Sequence, residues 1–359
     1  MTIQRIGIVG VGAISGIYLK NLTGMFGQRV KVSAVTDIIH ERAAKASADY
    51  GIPHILKTED LINSPDVDII LNITQPQNHY GVALAAVKAS KHVYDEKPLC
   101  AKRQEAQEVI EVAAKNKVRV GGAPDTFLGA GIQTCRKLID DGWIGRPLAA
   151  TAFMIGHGHE TWHPDPEFYY KTGGGPMFDM GPYYLTALVN LLGPITRVCG
   201  SAKKGFETRT ITSQPHYGDI ITVDVPTHIA GVLDFASGAV GTIIMSFDVY
   251  SHTLPFIEIY GSEGSLRVPD PNCFGGPVYV RRGFAETWSE IPLLKGFSEN
   301  SRGIGITDMA EAITENRPHR ASGELAYHVL DVMHGVHDAS TSGSYYNVKS
   351  ACSRPEPLD

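Results

Sequence analysis

The chain has 359 residues but no run of about 18 consecutive apolar residues, so it carries no ordinary membrane-spanning helix. It is poor in cysteine: Cys100, Cys135, Cys199, Cys273 and Cys352 are scattered, odd in number and without a C-x-x-C pair. That pattern argues against a disulfide framework or a thiolate metal site and suits reduced thiols. It also lacks a basic run. Thirty-two Lys and Arg face 38 Asp and Glu, for a net charge of −6, and no segment interleaves aromatics with cations. Nucleic-acid binding is thereby disfavoured. Met1-Thr-Ile-Gln-Arg leads straight into a strand pattern without the apolar stretch of a signal peptide, so a cytoplasmic location is expected. No internal repeat or low-complexity segment interrupts the chain. With 43% hydrophobic residues, its length suggests two domains, each able to bury a core.

The first ~120 residues alternate short apolar runs with helical patterns, the signature of βαβ units and a parallel sheet. Strands are expected at 6–9, 30–35, 69–73, 92–95 and 118–121, with helices at 13–26, 41–50, 59–63, 80–89 and 104–116. Right-handed crossovers would gather the strand C-termini on one edge, where a cofactor sits. After Ala123-Pro124 the texture changes: one helix at 132–141, then strands at 148–155, 228–235, 240–247, 257–260 and 265–268 with hairpin turns between, and late helices at 304–315 and 324–338. The expected division is a dinucleotide-binding domain over 1–124, an α+β domain with a large open, mostly antiparallel sheet over 125–340, and a C-terminal tail or strap over 341–359.

The most suggestive local feature is Ile6-Gly-Ile-Val-Gly10-Val-Gly12-Ala-Ile-Ser15-Gly16. Gly10 permits a tight turn after the strand and Gly12 lets backbone N–H groups approach phosphates. Ala13 and Ile14 open a helix whose positive end faces them. The third glycine comes one step late, and an ordinary strand–turn–helix would read similarly. Asp37, ending the second strand, offers a carboxylate to ribose hydroxyls and would repel a 2′-phosphate. It stands 25 residues beyond Gly12, against about 20 in the usual motif. No Arg or Lys follows among residues 38–40, although Arg42 is close, so NAD is expected over NADP. Asp37 could equally cap the helix that follows.

Further motifs are Asn72-Ile-Thr74-Gln-Pro76-Gln-Asn-His79, Glu96-Lys97-Pro98, Gly173-Gly-Gly-Pro-Met-Phe-Asp179-Met-Gly181-Pro-Tyr183, Gly261-Ser-Glu-Gly264 and Arg302-Gly-Ile-Gly-Ile-Thr-Asp308. Together with the glycine turn, this ordered set resembles the Gfo/Idh/MocA oxidoreductases over nearly the whole chain. The resemblance implies that Thr74, Pro76, His79 and Glu96 line the cofactor, with His79 touching the ribose or capping the next helix. It also implies a cis Lys97–Pro98 bond and Lys97 as the catalytic, substrate-binding lysine. Family members commonly read Asp-x-Gly-x-His, with the histidine as proton acceptor; here Tyr183 takes that place. A phenol titrates at about 10 against about 6.5 for imidazole, so a tyrosine base needs a nearby cation. Lys97 could supply it, oriented by Asp179. Tyr183 could instead pack while Lys97 moves the proton alone. A helix is expected over 180–191, placing Asp179 and Tyr183 four apart on one side.

The loop Gly156-His157-Gly158-His159-Glu160-Thr-Trp162-His163-Pro164 is histidine-rich, but its glycines and spacing differ from the helical i, i+4 pair of a zinc site, and no metal is expected. His157, Trp162, His163 and Tyr169 are candidates to line a polyol pocket, unless the loop is merely solvated. The resulting expectation is an NAD-dependent dehydrogenase acting on a secondary alcohol of a sugar, glycoside or cyclic polyol, as a homodimer or homotetramer through its open sheet. The alternatives are an NAD-retaining hydrolase or lyase working by transient oxidation, and a sensor without turnover.

Overall fold

The computed structural model describes residues 3–294 and 296–358. Its two compact units are Met1–Leu128 with Glu299–Leu330, and Gly129–Ser298 with Asp331–Asp359.

The first unit begins β1 (Gln4–Val9), α1 (Ser15–Thr23), β2 (Val30–Thr36), α2 (His40–Tyr50), β3 (His54–Ile55) and α3 (Thr58–Asn63). It continues with β4 (Ile69–Asn72), α4 (Pro76–Lys88), β5 (His92–Asp95), α5 (Arg103–Asn116) and β6 (Val120–Gly122). The six strands pair in parallel in the order β3-β2-β1-β4-β5-β6, the doubly wound arrangement expected of the βαβ pattern. β4 is buried along its whole length, as a strand covered by helices on both faces must be. The two-residue β3 is too short and too exposed to leave a periodic signal, and no strand is expected there from the sequence.

The second unit opens with α6 (Ala130–Asp140) and β7 (Pro147–Ile155), then a 3₁₀ turn at Glu167–Tyr170, α7 (Pro176–Asp179) and α8 (Gly181–Leu192). Strands follow: β8 (Ile195–Lys203), β9 (Thr208–Thr210), β10 (Ile220–Thr222), β11 (His228–Phe235), β12 (Val240–Ser246), β13 (Ile257–Gly261), β14 (Gly264–Val268), β15 (Val278–Arg282) and β16 (Ser289–Ile291). The chain closes with α9 (Ile304–Glu315), α10 (Gly323–Ser342) and β17 (Tyr346–Asn347). Nine strands form one sheet in the order β16-β15-β14-β13-β7-β12-β11-β8-β17. Its pairs are antiparallel except β7 with β12. Burial alternates strictly along β11, so one face of the sheet is covered and the other is more open. β8 is absent from the expectation because Thr196, Arg197, Gly200, Ser201 and Lys203 interrupt its apolar residues and mask the period-two pattern.

Two differences in organisation have clear physical causes. Residues 299–330 belong to the first unit, not to the second as the expected 125–340 division has it. Asp125, 1% exposed, accepts the backbone N–H of Gly303 at 2.8 Å and of Gly305 at 3.0 Å, pinning the start of α9. Asn21 donates to the carbonyls of Asn300 and Arg302, both at 2.9 Å, and Arg29 pairs with Glu311. The terminal segment, in turn, is a strap within the second unit. Arg354 donates to the carbonyls of Asn190 and Leu191, the open C-terminal acceptors of α8, and to Asp140. Arg136 donates to the Pro355 carbonyl at 2.7 Å, and Asp331 accepts from the backbones of Lys349 and Ser350.

Burial pushes the Asp125 carboxyl up to about 6, against the pull of its two backbone donors and Arg302. An unfolded aspartate titrates at about 3.9, so between about pH 4 and 6 the unfolded chain has lost a proton that the folded chain keeps. The contribution of this group is therefore complete below about pH 4 and declines by about 2–3 kcal/mol as pH rises through about 6. Asp125→Asn keeps an acceptor without the titration. Denaturation midpoints measured across that interval should fall less in the variant than in the parent; parallel slopes would refute the assignment.

Candidate active site

The first unit presents its chemistry at the carboxyl edge of the parallel sheet. Gly10 sits at φ +96° with its N–H bonded to Thr36 O at 2.9 Å. A Cβ there would stand 3.0 Å from the Ile73 carbonyl oxygen in a left-handed backbone, so the position needs glycine. Gly12 is exposed, and a Cβ on it would meet nothing within 4 Å, leaving the backbone open to a ligand. Ala13 is exposed and Ile14 half-buried; no side chain caps α1, and its first turn holds no acidic residue. The helix end is thus free for an anion. Asp37 closes the turn from the other side: its Oδ2 accepts Val11 N–H at 2.6 Å and its Oδ1 accepts Ile39 N–H at 2.7 Å. Each carboxylate oxygen keeps a lone pair for a further donor. These residues fit the adenosine and pyrophosphate parts of a dinucleotide.

The next two turns are built from a buried polar network. Thr74 donates from Oγ1 to Asn72 Oδ1 at 2.7 Å, and Asn72 Nδ2 donates to Asp95 Oδ1 at 2.7 Å. Asp95 is fully buried, and desolvation pushes its carboxyl far above the ordinary aspartate range. Pro76 opens α4, where its missing N–H is no loss. His79 is completely buried, with Nδ1 2.7 Å from Pro98 O and Nε2 3.0 Å from Thr74 O. Burial, the largest influence, lowers its pKa against the pull of both carbonyls. The expected ribose contact is corrected accordingly: the ring braces the Thr74 turn against the Lys97–Pro98 turn and has no open edge.

Lys97 follows β5 and is half-buried, its bond to Pro98 cis as the family resemblance implies. Glu96, 8% exposed, accepts Lys97 N–H at Oε2 (2.8 Å) and Tyr18 O–H at Oε1 (2.8 Å). Burial and the Glu96 charge raise the Tyr18 pKa well above normal, so Tyr18 stays a donor. The side chain of Glu96 therefore holds the turn together.

In the second unit, Asp179 and Tyr183 do not share one helix. Pro182 has no N–H to offer to the turn before it, so α7 stops at Asp179, Met180 takes φ −109°, and α8 restarts at Gly181. Tyr183 lies in the first turn of α8, 7% exposed. Its neighbour Tyr184 is structural: it is 1% exposed, donates to Phe153 O at 3.3 Å, and burial raises its pKa.

The histidine loop divides into two groups. His159 Nε2 lies 3.3 Å from Asp179 Oδ2, while its ring stacks on Tyr169 with centroids 3.7 Å apart. Trp162 leans on His159 at 5.2 Å, and His163 packs edge-on to Trp162, Phe168 and Tyr169. Desolvation lowers the His163 pKa, and Trp162 is 63% exposed, an accessible apolar face. His157 belongs to the other group, stacked on Tyr250 at 3.6 Å and 3.4 Å from Arg209. Between the groups Glu160 is buried, paired with Arg209 at 2.9 Å and accepting from Tyr170 O–H; Arg209 also binds Asp248. Breaking such a pair costs about 3–5 kcal/mol, because it strands a buried charge. Among the described residues, no group of three or more His, Cys, Asp or Glu could hold a metal ion.

The sequence reading does not single out His159, Tyr18, Asn72 or Asp95. His159 stands between two histidines of the same loop, and nothing in local spacing shows which ring would face Asp179. Tyr18, Asn72 and Asp95 read as ordinary helix and strand residues.

Residues 4–122 match the model of the oxidoreductase family's NAD-binding Rossmann fold, and residues 132–267 match that of the GFO/IDH/MocA C-terminal domain. The chain belongs to the Gfo/Idh/MocA family. Residues 4–122, within its first unit, are the family's NAD-binding domain. Among relatives, an inositol 2-dehydrogenase/D-chiro-inositol 3-dehydrogenase of Lactiplantibacillus plantarum is 32% identical over 150 residues, 41% of this chain and 42% of that one. The matched stretch thus spans less than half of that relative. A myo-inositol 2-dehydrogenase of Thermotoga maritima is 26% identical over 266 residues, 73% of this chain and 74% of that protein. The solved structure of a levoglucosan dehydrogenase in complex with NADH shares the fold, with TM-score 0.83 and 19% identity over 98% of this chain and 100% of that one.

Replacing Asp37 tests the cofactor reading. Asp37→Ser removes the carboxylate facing a ribose and should raise KM for NAD about ten-fold, equivalent to about 1.4 kcal/mol, while lowering the NAD:NADP preference. Steady-state kinetics with both dinucleotides checks this, and an unchanged ratio would refute it.

Proposed function

We propose that the protein is an NAD-dependent dehydrogenase oxidising a secondary alcohol of a sugar, glycoside or cyclic polyol. The observation that carries this reading is Tyr183, buried at the head of α8 and directly following the Asp179 turn, in the place where the family pattern has its proton acceptor. Lys97, fixed by Glu96 on the first unit, is the second group assigned to the reaction.

NAD, when bound, supplies the hydride acceptor. The residues of the chain supply binding and proton transfer. Lys97 donates a hydrogen bond to the substrate hydroxyl and favours its ionised form. Tyr183, as a phenolate favoured by a cation, takes up the hydroxyl proton and becomes the phenol. Asp179 takes the orienting role that the family motif gives this aspartate. Trp162, His163 and Tyr169 offer an apolar face and imidazole edges, the combination that suits the C–H and O–H faces of a carbohydrate. The inositol dehydrogenases among its relatives, and the levoglucosan dehydrogenase that shares its fold, support this substrate class.

The open face of the nine-stranded sheet supports a homodimer or homotetramer, since an uncovered sheet of this width is otherwise an association hazard. Five free cysteines are compatible with a reducing cytoplasm. No helix among the described residues is long and apolar enough to cross a membrane.

Tyr183→Phe should lower kcat by more than about ten-fold, or about 1.4 kcal/mol, in NADH formation over a panel of sugars, inositols and glycosides. A near-normal rate would remove Tyr183 from proton transfer. Conversion of a glycoside without net NADH would replace dehydrogenation with a redox-neutral reaction.

A further inference from the structure

His159 is held more rigidly than a solvated loop residue would be. Its backbone N–H points at Tyr170 Oη at 3.3 Å, and Tyr170 donates to Glu160, which is paired with Arg209. The loop backbone is thereby fastened to a buried ion pair. The His159 ring is clamped in addition: Tyr169 stacks on one face, Phe247 meets it edge-on at 4.8 Å, and Trp162 tilts against it. One ring position remains for chemistry. Nε2 lies 3.3 Å from Asp179 Oδ2, both side chains only 12–13% exposed. Nδ1 is buried and finds no hydrogen-bond partner.

That last detail decides the tautomer. A buried N–H with no acceptor is costly, whereas a bare ring nitrogen in an aromatic cage is tolerated. The proton is therefore assigned to Nε2, where it faces the carboxylate. Other ionisable groups on the elements packed against the ring are the Tyr169 and Tyr170 phenols from the 3₁₀ turn, His163 and Glu160 in the same loop, Arg209 paired with Glu160, and Asp248, which follows Phe247 just beyond β12. Glu160, Tyr170, Arg209 and Asp248 are engaged with one another.

We propose that His159 is a positioning residue for Asp179, an imidazole donor that fixes the direction of that carboxylate. The role goes beyond the Lys97, Asp179 and Tyr183 assignment while resting on it. An N–H donor facing a carboxylate favours the charged form, so losing the donor moves the carboxylate's titration to higher pH.

Two substitutions separate donation from packing. His159→Phe keeps a ring to stack on Tyr169 but has no donor; His159→Gln loses the ring and keeps an N–H at the reach of Nε2. His159→Phe should lower kcat about ten-fold with KM nearly unchanged, and the acid limb of its kcat–pH profile should move to higher pH. His159→Gln should recover kcat to within about three-fold of the parent and restore the acid limb. Parental kcat and pH profile in His159→Phe would overturn the proposal, and so would equal impairment of both variants. A readout independent of turnover is the ¹⁵N spectrum of histidine-labelled protein. It should show His159 as the Nε2–H tautomer and should respond to Asp179→Asn; a ring protonated at Nδ1, or one indifferent to Asp179, overturns the proposal. Should Tyr183→Phe and Lys97→Met leave turnover intact, the dehydrogenase reading fails, whereas the spectrum still judges the His159–Asp179 pair separately.

Discussion

In the first unit, the Glu96 carboxylate joins the helix after the glycine turn to the lysine turn. It stands at the carboxyl end of β5, nearly excluded from solvent, and receives one donor from the helix that follows the glycine turn and one from the backbone of Lys97. A buried carboxylate tolerates such a place only when its oxygens are engaged, because desolvation of a bare charge is severe. That requirement makes Glu96 a clamp. It ties α1, whose open end suits a pyrophosphate, to the lysine assigned to chemistry. His79 packs one turn away, its ring nitrogens near the Thr74 and Pro98 carbonyls and its one N–H available to donate to one of them. The edge of the sheet is thus pre-organised before any ligand arrives.

The second unit solves the same problem with a different pair. Glu160 and Arg209 lie under the histidine loop, 4–5% exposed, and draw in Tyr170 and Asp248. Glycine-rich loops are entropically expensive to order. Fastening the middle of this one to a buried ion pair leaves its rings in fixed positions. His159 lands beside Asp179, and His157 is carried to the Arg209 side with Tyr250. Two histidines two residues apart therefore have unrelated surroundings.

Much of the fold was legible because its signals are local. The βαβ alternation, the glycine turn and the Asp37 terminus each depend on a few neighbouring residues, and the structure places them on one parallel sheet edge. Failures of legibility are equally specific. β8 lacks a clean alternation, and the short α7 precedes the expected helix, which begins at Gly181, so Asp179 lies outside it. Residues 299–330 join the first unit because Asp125, far away in sequence, takes the N–H groups at the start of α9.

By itself, the sequence determined the class of fold, the dinucleotide cradle and the residue types available for proton transfer, since turn chemistry, hydrophobic period and motif order are written along the chain. Only the tertiary structure decided which of these residues are exposed and which are braces. His79 and Glu96 turned inward to satisfy buried donors and acceptors, and His159 emerged from a run of similar residues to face Asp179. Burial and pairing are properties of residues distant in sequence, and so no local pattern could assign them.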